Sequence, residues 1–508
     1  MAMPEQYESI AQHYHERTKY DPETIAAKNQ GLDWSKQPLP FKEYKIGTVF
    51  DLKPYLQADP EASAAIPGIG WWQRLSHLLL YSYGITAKVP TLMGQPIYLR
   101  SAPSAGGLYP AEVYLISRGT PLLPAGLYNY QPLTHSLIQF WESNVWSDLQ
   151  AACFQHPALD SSQITLVTTA IFYRSAWRYQ DRAYRRIFLD TGHLLGNIEL
   201  AGALTNYRPH LIGGFIDASI DQMLYVDPEQ EGAIAVIPLA DLEVQQLPVS
   251  RTVLPSSTQT EYPPIPDGEL LAYCHQATQI DDDRAASEER EKEVFAADKY
   301  NFPFCLKVPT NTSSIDWGLN LTGLETTILE RRSTRAYTGA ELTIDELRAL
   351  LDFTYQPQHY LNQGFDGNPD YFDPSLIETF VAVSGVTGLE EGCYYYAPKA
   401  QELRQIRFKN FRRELHFLCL GQELGRDAAA VLFHTADLKK AVAQYGDRAY
   451  RYLHMDAGHL GQRLNLAAIR LNLGVSGIGG FFDDRVNEVL GIPTDEAVLY
   501  ITTLGRPR

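Results

Sequence analysis

The sequence predicts an α+β chain in which one domain occurs twice in tandem. Residues 181–217 align without a gap on 447–483, an offset of 266, with 17 of 37 positions identical. In the same register GLYNYQP at 126–132 pairs with GCYYYAP at 392–398. Within each copy, amphipathic helical periods alternate irregularly with β-branched and aromatic runs of strand length, which favours α+β over a doubly wound sheet.

The first 50 or so residues hold several Pro and Tyr and show no period, so they are expected to form an arm on the surface of one domain. LSHLLLYSY (75–83) resembles LRALLDFTY (347–355) at an offset of 272, which places a six-residue length difference between this helix and the strand after it. EVYLIS (112–117) and ITLVTTAIF (164–172) have the composition of strands, as do AVLFHT (430–435) and VLYITT (498–503). Residues 247–315 begin LPVSRTVLPSSTQTEYPPIPDG and continue through DDDRAASEEREKEV, predicting a linker followed by a short exposed helix. The expected division is therefore a domain at 1–246 with its arm, a linker at 247–315 and a domain at 316–508. Thr343 with Glu346 is a capping-box pattern for the helix that follows. Ala449, Leu453, Leu460, Leu464, Ala467 and Leu471 give one apolar helix face, which Gly474 is expected to end by taking φ > 0.

At 508 residues the chain exceeds a lone small module, and its net charge of −17 argues against a broad nucleic-acid or anionic-membrane surface. No apolar run approaches the ~18 to 20 residues that would span a bilayer. The polar N-terminus lacks a signal-peptide pattern, and five cysteines without a CxxC suit reduced thiols, so a cytoplasmic protein is expected.

Three motifs could carry chemistry. Arg331, Arg332, Ser333, Thr334 and Arg335 place three guanidiniums around a hydroxyl, suited to a phosphate or, equally, to a solvated basic turn. Pro103, Ser104, Ala105, Gly106 and Gly107 open a loop whose glycines would let backbone groups approach a planar ligand or make a plain tight turn. Ile478, Gly479, Gly480 and Phe481 recur as Ile212, Gly213, Gly214 and Phe215, which suits either a ligand-facing or a structural turn. The GxGxxG fingerprint fails because Phe482 stands at its third glycine, and Walker A and GxSxG patterns are absent. His454 and His459, five apart on a helix, project about 140° apart and cannot face one ion; Gly458 and Gly192 are read as sites of close helix packing.

Taken together, ERRSTRAY (330–337), APSAGGLYP (102–110), SGIGGFFDD (476–484), YGDRAYR (445–451) and MDAGH (455–459) resemble the nitroreductase superfamily. The likeness is greater to its azoline-oxidase branch, the flavin dehydrogenases associated with thiazole- and oxazole-modified peptides. The resemblance implies two paired domains with FMN in their interface, the Arg-Ser-x-Arg segment coming from one and the Pro-Ser loop from the other. The first half keeps the loop but has DPEAS (59–63) opposite RRSTR, whereas the second keeps RRSTR but has PDYFDPSL (369–376) opposite the loop. An intramolecular pseudodimer with one FMN is therefore expected, with Tyr371 and Phe372 filling the other interface.

By the same resemblance Arg331 and Ser333 serve the ribityl phosphate and Arg335 the N1–O2 edge, with Arg332 also counted among the cofactor-binding residues. Ile478, Gly479 and Gly480 face N5 or O4, Pro103 to Gly107 close the site, and Arg506 adds a phosphate contact. The branch's Lys-Tyr pair is replaced by Gln444-Tyr445 and Arg178-Tyr179, which leaves Tyr445 as the catalytic acid–base candidate. The expected function is an FMN-dependent oxidoreductase transferring hydride at N5, with a small-molecule or modified-peptide substrate and NAD(P)H as a candidate reductant. The alternatives are an azoline oxidase, or a flavin- or peptide-binding protein without catalysis.

Overall fold

The computed structural model describes residues 9–28, 31–57, 68–90, 96–243, 253–281 and 297–508. DPEAS, residues 247–252 and most of DDDRAASEEREKEV lie outside the described residues.

The first half contains strands β1 (Thr48–Asp51), β2 (Ile85–Val89), β3 (Ile97–Arg100), β4 (Ala111–Ser117), β5 (Gly126–Gln131), β6 (Ser136–Trp141), β7 (Ile164–Ile171), β8 (Tyr207–Pro209) and β9 (Glu231–Asp241). The second contains β10 (Lys307–Pro309), β11 (Leu342–Thr343), β12 (Glu378–Val383), β13 (Val386–Thr387), β14 (Gly392–Ala397), β15 (Glu402–Arg407), β16 (Ala430–Asp437), β17 (Gly474–Ile478) and β18 (Glu496–Gly505). Two seven-stranded sheets result, ordered β1-β6-β5-β4-β7-β9-β8 and β10-β15-β14-β12-β16-β18-β17. The second order repeats the first strand for strand, and every neighbouring pair in both sheets is antiparallel. The chain is thus α+β, with two tandem domains of one topology.

Burial follows the period of two along each strand. In β4, Val113 and Leu115 enter a central core, while Tyr114 and Ile116 enter a smaller core on the other face. In β16, Leu432 enters the same central core, and Val431 and Phe433 a third. Both faces of each sheet are covered, which explains why these strands read as continuous apolar runs. The central core draws on both halves.

The principal helices are α1 (Ile10–Arg17), α2 (Ile69–Tyr83), α3 (Phe172–Tyr179), α4 (Ala183–Thr205), α5 (Leu270–Ala277), α6 (Thr322–Glu330), α7 (Ile344–Tyr355), α8 (Leu438–Tyr445) and α9 (Ala449–Arg470). Thr343 and Glu346 form both hydrogen bonds of a capping box on α7. Helices α4 and α9 cross where Gly192 meets Gly458: a Cβ on Gly192 would overlap the Met455 carbonyl oxygen and sit 2.8 Å from Gly458 Cα. The left-handed residue that ends helix α9 comes two residues earlier than the sequence suggested. Asn472 takes the left-handed conformation (φ 57°), as Asn206 does after α4 (φ 55°), whereas Gly474 begins β17. Gly474 is small because a Cβ would lie 2.8 Å from the Tyr337 ring.

The N-terminal arm is not spread over one domain's surface. Ile10, Ala11, Tyr14 and His15 are buried, and the Ala11 N–H donates to Asp447 Oδ1 at 2.9 Å while Arg185 Nη2 donates to the His15 carbonyl at 2.5 Å. Helix α1 is thereby fixed to both halves. Between the domains, Val253, Ile265, Leu270, Leu271, Cys274 and Ile280 are buried, so this stretch packs as part of the core.

Candidate active site

Two clefts related by the repeat lie where the halves meet, and their contents differ. In the first, the loop after β3 is held by α4: Asp190 accepts from Ser104 Oγ at 2.6 Å and from the Ala105 N–H at 3.1 Å. Burial pushes the Asp190 carboxyl up to about 7 against these two hydrogen bonds. Gly106 and Gly107 are both left-handed (φ 66°), and a Cβ on Gly107 would meet nothing within 4 Å, so the loop presents bare backbone to open space. A Cβ on Gly106 would lie 2.8 Å from the Tyr179 hydroxyl. The Arg186 guanidinium lies 3.8 Å from the centre of the Tyr179 ring, and a Cβ on Gly479 would overlap its Nη1. Gly106, Tyr179, Arg186 and Gly479 therefore form one continuous wall contributed by both halves.

The basic segment joins this wall from the second half. The Thr334 N–H donates to the Val475 carbonyl at 2.9 Å, which seats the segment beside β17. Arg331 Nε donates to the Ser101 carbonyl at 2.6 Å and Nη2 to the Arg100 carbonyl at 3.1 Å, immediately before the loop. Burial pushes its pKa down to about 10. Arg332 turns to the Thr86 hydroxyl and carbonyl on β2. Arg331 and Arg332 thus tie the halves together, and Arg335, exposed and without a hydrogen bond or ion pair among the described residues, is the guanidinium left open for a ligand. Ile478 faces the core of the second domain. Arg506 is committed to Glu346 Oε2 at 2.8 Å and the Glu341 carbonyl at 3.2 Å, so its guanidinium is not among the open groups.

The second cleft is filled by its own chain. Phe372 is 4% exposed and stacks on Tyr452 at 5.1 Å, and a Cβ on Gly213 would lie 2.6 Å from both rings. Tyr371 packs on His459 at 4.3 Å. Asp456, the counterpart of Asp190, accepts from the N–H groups of Phe372 and Asp373, and burial pushes its carboxyl up to about 8. Tyr445 belongs here: its hydroxyl donates to Asp373 Oδ2 at 2.7 Å. The expected catalytic tyrosine therefore lies against the filled cleft, and its repeat partner Tyr179 lies beside Gly106 in the open one. The cause is the crossing of the halves, which sets each helix-borne tyrosine against the loop of its own domain.

One set of positions escaped the sequence argument. Asp483, beyond the Gly479–Gly480 turn, pairs with Arg182 (2.8 Å) and Arg185 (2.7 Å) of the first half. Asp217, beyond Gly213–Gly214, pairs with Arg448 and Arg451 of the second half, each at 2.6 Å. Burial alone would raise both carboxyls, but the arginines hold them below the usual aspartate range. The signal was present: DRAYR and GGFxD occur in both copies at the same offset.

This architecture is shared with proteins already described. The chain matches the Nitroreductase family over residues 85–240 and again over 328–506. The chain belongs to the nitroreductase family. A crystal structure of a nitroreductase-family protein from Anabaena variabilis is 70% identical, with a TM-score of 0.93 over 99% of this chain and all of that one. MJ1384 of Methanocaldococcus jannaschii, named for the same family, is 34% identical over 36% of this chain and 90% of its own length. The microcin B17-processing protein McbC of Escherichia coli is 28% identical over 25% of this chain and 49% of its own, which supports the branch that the motifs resemble. The chain thus spans about half the length of McbC. As a member of this family it is an oxidoreductase, and its two domains come from one chain.

Proposed function

We propose that the nitroreductase-family chain is an FMN-dependent oxidoreductase with one flavin site, in the open cleft. The contrast between the clefts carries this reading: one presents bare glycine backbone, an open Arg335 and the Gly479–Gly480 turn, and the other is closed by Phe372 and Tyr452. The residues present fit a flat, monophosphorylated group. Gly107 presents backbone to open space, Gly106 brings the backbone close to the Tyr179 hydroxyl, and Ser333 and Arg335 offer a hydroxyl and a cation unpaired among the described residues within one turn of chain. When bound, the flavin supplies a two-electron hydride carrier at N5.

The chain's own groups have separate tasks. Arg335 would neutralise phosphate or the electron-rich pyrimidine edge. The loop Pro103–Gly107, fixed by Asp190, would cover one face of the ring and exclude water. Arg182 and Arg185, through Asp483, hold the turn that carries Gly479 and Gly480. Tyr179, at the mouth of the cleft, has a hydroxyl able to donate or accept a proton where substrate enters. The similarity to McbC favours a second reading, azoline oxidation of a modified peptide, whereas Arg178 at the place of the branch's Lys counts against it, because a guanidinium does not exchange a proton in catalysis.

The purified protein is expected to be yellow, to release FMN and not FAD in acid, and to bind one FMN per chain. Release of FAD, two flavins per chain or failure to take up FMN would overturn the reading. Rapid bleaching of bound flavin by NADH or NADPH separates a reductase from an oxidase that uses oxygen alone.

A further inference from the structure

We infer that the substrate of the open cleft is an anion, and that Arg186 and Arg178 are the residues that select it; this rests on the flavin-site reading above. Arg186 is 6% exposed, its Nε is buried without an acceptor, and it makes no hydrogen bond or ion pair among the described residues. The guanidinium rests on the Tyr179 ring but has no hydrogen-bond acceptor among the described residues, so its hydrogen-bonding capacity is left for a partner that arrives from outside. The nearest carboxylate on the same helix, Asp190, is already engaged by Ser104 and Ala105.

The surroundings extend the argument. A cavity of about 670 Å³ adjoins the wall, lined by Arg17, Lys19, Tyr20, Arg178, Tyr179 and Leu420 among others. Leu420 and Tyr20, which line the cavity, also pack beside Gly480, so these side chains stand between the cavity and the turn. The acids lining it are spent: Asp267 pairs with Arg17 at 2.5 Å, and Asp181 accepts from the Gly268 and Leu271 N–H groups. Lys19 and Arg182 are likewise held by acids outside the lining, Glu16 and Asp484 for the first and Asp483 for the second. Arg178 is exposed, pairs with no carboxylate among the described residues, and lies 5.7 Å from the Tyr179 ring whose face carries Arg186. Two cations without a carboxylate partner among the described residues thus flank the Tyr179 phenol, in a chain of net charge −17.

The repeat provides an internal control. The position equivalent to Arg186 is Tyr452, in a stretch where the five preceding residues are identical. In the filled cleft the ring stacks on Phe372, and in the open cleft the same backbone position carries a charge. A guanidinium offers a carboxylate two parallel charge-assisted hydrogen bonds, which a neutral isostere cannot accept as well.

The test uses 4-nitrobenzoate and its methyl ester, each titrated into the FMN-loaded full-length protein and followed by the visible spectrum of the flavin. At saturating FMN the acid should bind at least about tenfold more tightly than the ester, and Arg186→Gln and Arg178→Gln should each lower that preference by roughly tenfold, the FMN affinity of each variant being measured separately. Equal binding of acid and ester, or a preference that survives both substitutions, would overturn the inference, as would a loss of FMN affinity in Arg186→Gln that accounts for the whole effect. Calorimetry of both probes with the protein as isolated keeps the two readings distinguishable. A retained acid preference without FMN uptake faults only the flavin site, and FMN uptake without acid preference faults only the anion site.

Discussion

Arg331 and Arg335 sit four residues apart and do different work. Arg331 fills two carbonyls of the opposite half, so Arg331→Ala would leave buried acceptors unpaired and weaken folding and ligand binding together. Arg335→Ala removes an open cation and should lower FMN affinity by roughly tenfold with little change in melting temperature, since charge-assisted hydrogen bonds contribute about 1.5–3 kcal/mol. An unchanged FMN affinity in a titration of Arg335→Ala would remove it from the site. Asp190 and Asp456 give a pH signature. Their folded pKa values, about 7 and about 8, lie above the ~4 of an unfolded aspartate. The folded state therefore holds more protons across that window, and the stability they contribute is complete below about pH 4 and lost as pH rises through 7 and 8. Thermal melts of Asp456→Asn between pH 5 and 8 should show a flatter pH dependence than the parent; a slope equal to the parent's would rule out the shifted carboxyl.

Among the elements, the crossing of α4 and α9 leaves least room for change. Ala at Gly192 would drive a methyl into the Met455 carbonyl, and overpacking of this kind costs about 1–3 kcal/mol. Urea titration of Gly192→Ala should report a loss in that range, and Gly107→Ala, which faces open space but adopts φ 66°, a smaller one. Much at this scale could be read from the residues alone: close helix packing followed from the repeated Gly-His pair, the capping box from Thr343 and Glu346, and the α+β class from irregular alternation of strands and helices, whereas the antiparallel pairing of the sheets was not read. The end of α9 was misplaced because glycine is the commoner left-handed residue, and here asparagine took that role in both copies. The arm was misplaced for another reason. Ile10, Ala11 and Tyr14 make a short apolar stripe, and nothing local states that its partners are Asp447 and Tyr450, more than four hundred residues away. Tyr445 could not be assigned to a cleft until the crossing of the halves was known.

Over the whole molecule, the two acid–arginine clusters bind each half to the other in reciprocal fashion. Asp217→Asn leaves Arg448 and Arg451 buried with one neutral partner, and removal of one side of a buried pair is commonly worth about 3–5 kcal/mol. Asp483→Asn should destabilise similarly and also displace the turn beside the flavin. In fluorescence titrations it should therefore weaken FMN binding where Asp217→Asn, next to the filled cleft, does not. Equal effects of the two on FMN would mean that the clefts are not independent. The same reciprocity bears on how such a protein could diverge. If two identical chains paired in this way, any substitution in the loop would appear in both clefts, and a phenylalanine that sealed one would seal the other. Joining the copies end to end releases that constraint: one locus can mutate while its twin keeps the ancestral task, so the Phe372 plug is a change open to a fused gene and closed to a symmetric one.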